Sequence, residues 1–270
     1  MTQCLNCEIP VMPQQAYCMG CGQKTQLKRL SLHEVTHEAI HYFTHADKSI
    51  FSLLKQLLVN NGKVGKEYIA GKRKKYFPPL NFFLIVGTVF VLIISVVNKP
   101  AENIINNYPE LNHISDPVQR EKVSNIYQRR DTAIGFMNKY SNVVAMIALP
   151  LICFIYWLFY VKGKYNYTEH LVGCLYMVGF TNLLYATIFV PVTLIIGINS
   201  SGISVTPILI FMLFQVIYNS IYYFHFMGKY TRGAAFKATA VSIFATAFWY
   251  VISASLVSLY IYNAFWGILE

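Results

Sequence analysis

The chain has 270 residues, 55% hydrophobic and 16% aromatic but only 13% charged, and its formal net charge is +10. A water-soluble domain carries about a quarter charged residues, and the apolar residues here fall in blocks of the roughly 20 needed to cross a bilayer. That composition excludes a soluble globular protein. The positive charge clusters beside the apolar blocks, which favours anionic lipid over nucleic acid as the acidic partner.

The first residues, Met1 to Cys21, are polar and cysteine-rich, without the apolar core of a secretory signal. Two pairs at knuckle spacing, Cys4-Leu-Asn-Cys7 and Cys18-Met-Gly-Cys21, predict a zinc ribbon over residues 1–24. Four thiolates complete the tetrahedral set of structural zinc and leave no open coordination position. So short a module cannot bury a useful core, so the metal would supply most of its folding free energy. Gly22 suits the turn after the second pair. Glu8 occupies the matching place after the first and should strain it. A pair of disulfides is the competing reading, disfavoured in a reducing compartment. Cys153 and Cys174 lie in apolar blocks and read as small buried hydrophobes. No internal repeat is evident.

Residues 25–76 form a basic, amphipathic juxtamembrane region, beginning with a linker over 25–30. Ser31 with Glu34 makes a capping box for a helix from Leu32. Along it His33, His37, His41 and His45 recur every fourth residue, and His33 to His37 and His37 to His41 both fit H-E-x-x-H, the signature of zinc peptidases. Leu32, Val35, Ala39, Tyr42, Phe43 and Ala46 fill the opposite face, however, as in a surface helix with its polar side in water. The longer metzincin pattern is also missing, and the motif lies outside any apolar span. A solvated, pH-sensitive face is the default, with a second metal site on these histidines as the alternative. Thr44 and Asp47 offer another capping pair. Ile50, Phe51, Leu53, Leu54, Leu57 and Leu58 give an amphipathic stretch stopped by Asn60-Asn61-Gly62, and a short piece from Lys63 to Ala70 ends at Gly71. Lys72, Arg73, Lys74 and Lys75 then stand at the membrane boundary, as a topology anchor or a site for lipid head groups.

The remainder, 77–270, predicts five spans: about Pro79–Val97, Asn142–Val161, Leu171–Ile198 with Pro191 inside, Val205–Phe226 and Phe236–Tyr262. Cations precede the first span and fill the loops at Lys162 and Lys164 and at Lys229, Arg232 and Lys237, whereas 199–204 has none. The positive-inside rule therefore places the N-terminus in the cytosol and Glu270 outside. The long loop 98–141 lies outside despite its mixed charges, and Asp116-Pro117 predicts a helix start within it. Tyr76 and Phe77, Trp157 to Tyr160, Tyr222 and Tyr223, and Tyr260 to Trp266 sit where an interfacial aromatic belt would form. The spans as bounded contain no Asp or Glu, which argues against an ion-coupled carrier. Asn182, Gln215 and Asn219 either hydrogen-bond neighbouring helices or line a polar cavity. Ala238, Ser242 and Thr246 make a small-residue stripe for close helix contact, within the chain or in a homo-oligomer. His170 and His225 share the cytosolic side.

The ribbon ending Tyr17-Cys18-x-x-Cys21-Gly22-Gln23-Lys24, the histidine-rich helix, and Glu67-Tyr68-Ile69-x-Gly71-Lys72-Arg73-x-x-Tyr76-x-x-Pro79 occur in that order. Over residues 1–95 the chain resembles a bacterial family of multi-span membrane proteins of unknown function. The resemblance implies a bacterial inner-membrane location and supplies no catalytic residues. The fold class is thus an all-α polytopic membrane protein with a small zinc ribbon and amphipathic surface helices. The expected function is a non-enzymatic scaffold or adaptor that uses the ribbon and surface helices to bind lipid or a cytosolic protein. The alternatives are a small transporter or channel for a neutral or lipid-like solute, and a metal-dependent membrane enzyme built on the histidines.

Overall fold

The computed structural model describes residues 2–12, 14–42, 49–97, 108–195 and 205–262. It is mostly helical. The N-terminal module consists of two short hairpins. Strands β1 (Thr2–Gln3) and β2 (Pro10–Val11) pair antiparallel, and a single bridge joins Tyr17 to Lys24. The second hairpin copies the first at one constant sequence offset. Glu8 N–H donates to Cys4 O as Gly22 N–H does to Cys18 O, and Cys4 N–H reaches Ile9 O as Cys18 N–H reaches Gln23 O. A repeat is therefore present, contrary to the sequence reading. It is carried by the backbone and cysteines rather than by side-chain identity.

Helix α1 (Leu32–Tyr42) starts at Ser31, whose hydroxyl accepts the Glu34 N–H at 3.3 Å. Helix α2 (Ser49–Val59) ends at Asn60-Asn61-Gly62, with Asn61 left-handed at φ 49°. It buries Leu53 and Leu57 completely while Phe51, Leu58 and Val59 stay exposed. Helix α3 (Lys63–Ile69) follows at once. The membrane region comprises α4 (Pro79–Val97), α5 (Pro117–Lys139), α6 (Ser141–Phe159), α7 (Tyr167–Leu184), α8 (Val190–Ile195), α9 (Val205–Met227) and α10 (Arg232–Tyr262). Asp116 caps α5 by accepting the Val118 N–H at 3.0 Å, with Pro117 at the first helical position. Residues 43–48, 98–107, 196–204 and 263–270 lie outside the described residues, and with them the Thr44/Asp47 pair, His45, the loop 199–204, Trp266 and Glu270.

Among the described residues four helical stretches are long and apolar enough to cross a membrane: Pro79–Val96, Tyr167–Thr193, Pro207–Met227 and Arg232–Tyr262. The other expected span, α6, is helical, but its apolar run Val143–Phe159 is shorter and carries Pro150 inside it. The third span begins earlier than expected and takes in Glu169, which is 4% exposed. The carboxylate is accommodated because it closes a capping box with Asn166: its Oε2 accepts the Asn166 N–H at 2.7 Å, and the Asn166 side chain accepts the Glu169 N–H at 2.8 Å. The last span likewise starts at Arg232. Between α7 and α8 the helix widens into a π-turn at Tyr185–Phe189, next to Pro191. Proline cannot donate to the carbonyl four residues back and its ring clashes there, so the helix widens to accept it.

Tyr76, Phe77, Tyr222 and Tyr223 are buried in the core rather than placed in an interfacial belt, whereas Leu158, Phe159, Tyr260 and Tyr262 are exposed at span ends. Ala238, Ser242 and Thr246 are buried on α10, and Ser242 receives a hydrogen bond from Tyr156 on α6 at 3.0 Å, so this stripe serves contact within the chain. Cys153 and Cys174 are fully buried free thiols.

Helix α3 lies directly on α9. A Cβ added at Gly62 would stand 1.9 Å from the Tyr222 carbonyl oxygen and 2.6 Å from the Phe226 nitrogen, both main-chain atoms. Gly62→Ala should therefore destabilise the protein by about 2–3 kcal/mol, the upper part of the range for overpacking. Its melting temperature in detergent checks this; an unchanged value would mean that α3 does not pack so closely.

Candidate metal centre and its docking corner

The paired hairpins bring together Cys4, Cys7, Cys18 and Cys21. Their sulfurs all lie within 4.8 Å of one another, with Cys4 to Cys21 at 3.6 Å and Cys7 to Cys18 at 3.5 Å. A disulfide needs about 2.05 Å, whereas a tetrahedron of sulfurs around zinc at about 2.3 Å has edges of about 3.8 Å. The four cysteines are thus close enough to bind a metal ion, and the spacing is compatible with zinc. N–H groups of Cys21 and Gly20 point at the Cys18 sulfur and pull that thiol down to about 7. At Cys7 an N–H from Ile9 pulls the thiol down, but burial and the crowded sulfurs outweigh it and push the thiol up to about 12. Several thiolates cannot share so small a space without a cation among them, which is the electrostatic character of a metal site. Both turns need a left-handed residue, Glu8 at φ 65° and Gly22 at φ 68°.

The module is docked rather than tethered. Gln23, 3% exposed, accepts the main-chain N–H groups of Arg73 (3.1 Å) and Lys74 (3.2 Å) through its side-chain oxygen. Asn6, inside the first knuckle, accepts the Lys75 N–H at 3.0 Å. Gly71, at φ +114°, receives Leu5: a Cβ there would lie 2.8 Å from the Leu5 side chain. The segment 25–30 is equally engaged. The Arg29 guanidinium holds the Glu169 carboxylate through Nε at 2.9 Å and Nη2 at 2.8 Å and also donates to Lys164 O. Arg73 reaches back to Lys28 O at 2.9 Å, and Leu30 is buried in the core.

Of the Lys72–Lys75 run, Arg73 and Lys75 therefore face protein. Lys75 pairs with Glu67 at 2.7 Å, and Glu67 also accepts from the Tyr76 hydroxyl at 2.8 Å. Burial opposes ionisation of Glu67, but the hydrogen bonds from Lys75 and Tyr76 win and hold its carboxyl below the usual range. His33 and His37 lie on the exposed face of α1 with stacked rings 5.9 Å apart; the His41 side chain, like His45, lies outside the described residues. His170 is fully buried and meets the Tyr223 hydroxyl at 3.2 Å, while His225 packs on Phe224 and Tyr230, so the two histidines have different neighbours.

In the bundle Asn182, Gln215 and Asn219 line one partly enclosed cavity of about 540 Å³. Asn6, Arg29 and Glu169 were not singled out by sequence, and Gln23 only as part of the ribbon's closing motif. The only available signal was Gln23 itself, a large amide directly after the second knuckle.

Residues 47–91 match a family described as a protein of unknown function, DUF3667. That stretch runs through α2, α3 and the docking corner into α4, and leaves the cysteine module outside. No curated protein and no solved structure matches the chain.

Glu8→Gly should raise the stability of the module by about 1 kcal/mol by relieving left-handed strain; a chelator titration of both proteins checks it, and equal midpoints would count against it. Because the Glu67 carboxyl is lowered in the folded state, its contribution is present above the ordinary carboxylate value and fades as pH falls through the folded one. Stability should therefore drop below about pH 4, and Glu67→Gln should flatten that part of the profile. The contribution stays below about 1 kcal/mol, since Glu67 and Lys75 are both partly exposed. Melting temperatures from pH 3 to 7 read both effects.

Proposed function

We propose that the chain is a five-span integral membrane protein of a bacterial inner membrane. Its N-terminus faces the cytosol and its C-terminus the outside, and it works as a non-enzymatic scaffold or adaptor. The four cysteines hold structural zinc. One observation supports this most strongly. The module sits with one side fixed on the juxtamembrane corner, while Ile9, Met12, Tyr17 and Met19 remain exposed on it. Large apolar residues on a rigid, metal-braced surface suit recognition of a cytosolic protein. A four-cysteine site leaves the metal no open position for chemistry.

The fifth span is supported by parity. The start of α4, next to Arg73–Lys75, adjoins the N-terminal module, and the start of α7, at Glu169, adjoins the linker that follows it. A chain that leaves this side through α4 must return before α7, and α6 is the apolar helix available. Its 19 residues reach about 28 Å at about 1.5 Å each, close to the hydrocarbon thickness of about 30 Å. Lys72 remains a candidate for anionic head groups at the same boundary.

Mass spectrometry of the purified protein should count one zinc per chain, and a reporter fused after Glu270 should be active on the side opposite Met1. Zinc-free protein retaining its fold, or a reporter on the same side as Met1, would overturn the architecture. Photo-crosslinking from position 19 in cells should capture a protein in the wild type and lose it in Cys18→Ser. Capture that ignores Cys18→Ser would remove the adaptor role. Two or more zinc ions per chain would instead bring His33, His37, His41 and His45 forward as a second site.

A further inference from the structure

We propose that the cavity bounded by α4, α5, α6, α7, α9 and α10 is a binding site for an uncharged, single-chain amphipath whose head donates a hydrogen bond, with the chemistry of a monoacylglycerol or long-chain alcohol. The proposal is independent of the adaptor role and rests on four observations.

The first is size: about 540 Å³ lies in the range of drug-sized ligand sites, about 300–1,000 Å³. The second is polarity. Phe83, Met137 and Trp249 contribute apolar wall, and Asn182, Gln215 and Asn219 gather on the facing helices α7 and α9. The third is charge, since among the described residues no Asp, Glu, Lys, Arg or His lines the cavity. A carboxylate or phosphate would find no cation there and an ammonium no anion, and neither is desolvated without a partner.

The fourth observation fixes the head group. Four other polar side chains of the lining already have partners. The Gln215 oxygen accepts from the Tyr250 hydroxyl at 3.2 Å, and the Tyr156 hydroxyl donates to Ser242. Thr88 and Thr181 donate to carbonyls of their own helices. Asn219 differs: it is 9% exposed, it lines the cavity, and its amide oxygen has no partner among the described residues. Buried polar atoms in native proteins are satisfied in the great majority of cases. An acceptor beside an apolar volume selects a ligand that brings a donor. A hydroxyl does so, whereas an ester or carboxylate places acceptor against acceptor.

The test uses full-length protein in phosphatidylcholine nanodiscs and three photoreactive probes with the same diazirine-bearing chain: the monoacylglycerol, the methyl ester and the free fatty acid. The monoacylglycerol should label the lining segments of α7 and α9, and the other two should label them roughly tenfold less, the factor carried by one buried hydrogen bond. Asn219→Leu should lose roughly tenfold in monoacylglycerol labelling and, without probe, melt higher than wild type, because an unpartnered buried oxygen is gone. Ala145→Phe, which fills the cavity from α6, should block labelling while leaving the melting temperature within a few degrees. Equal labelling by all three probes would reduce the cavity to a place for bilayer chains and overturn the proposal. So would labelling that survives Asn219→Leu or Ala145→Phe. A lower melting temperature for Asn219→Leu would show that the amide serves packing, and would overturn it as well.

Discussion

Three consecutive main-chain N–H groups, those of Arg73, Lys74 and Lys75, are the constraint on which the N-terminal region depends. They lie between the end of α3 and the proline pair that opens α4, a stretch without helical hydrogen bonds of its own. Gln23 and Asn6 answer them through side-chain oxygens. The Arg73 N–H also reaches Gly71 O at 2.9 Å, so what these side-chain partners supply is position. Those amides are aimed only because each belongs to a tight turn. Asn6 lies between Cys4 and Cys7, and Gln23 follows the left-handed Gly22. The turns in turn close around the sulfur cluster. The dependence thus runs from metal ligands to turn, from turn to amide, and from amide to the corner that sets the direction of α4.

The Arg29–Glu169 pair adds a second fixed point of a different kind. It is bidentate, with both contacts under 3 Å, and Glu169 is simultaneously the capping residue of α7. Geometry is the larger part of its contribution. Arg29 is 59% exposed, so screening limits the Coulombic gain, but a fork on a helix-capping carboxylate fixes the start of a membrane helix relative to the segment that precedes α1. The module thus contacts the α3–α4 corner while the linker behind it contacts the head of α7.

Features that repeat or lie close in sequence were legible beforehand. The cysteine spacing announced the cluster, Ser31 with Glu34 announced α1, Asp116-Pro117 announced α5, and Glu8 was recognised as a residue in a glycine position. The misreadings share a physical origin. Asn6 and Gln23 pair with main-chain atoms some fifty residues or more away, which no local periodicity encodes. Glu169 fell outside a third span bounded from about Leu171, although a capping carboxylate at a helix start is stabilised by that position. Tyr222 and Tyr223 were assigned to an interfacial belt from their place near a span end. α3 and its preceding Gly62 cover that end and turn an interface into an interior.

That last error exposes how the bundle is specified. Without a strong apolar driving force between helices in lipid, association rests on close packing and on neutral hydrogen bonds, and here tyrosine supplies many of them. Tyr176 donates to Phe77 O at 2.7 Å across to the head of α4, Tyr156 to Ser242 between α6 and α10, and Tyr218 to Leu57 O at the end of α2, while Tyr223 meets both His170 and Cys174. A hydroxyl on a rigid ring gives direction without the desolvation penalty of an ion. Beside the Arg29–Glu169 pair, the helices are therefore fixed by uncharged groups at the ends nearest the N-terminal region and by small residues along α10. The middle of the bundle can then hold a cavity walled by apolar side chains, amides and hydroxyls.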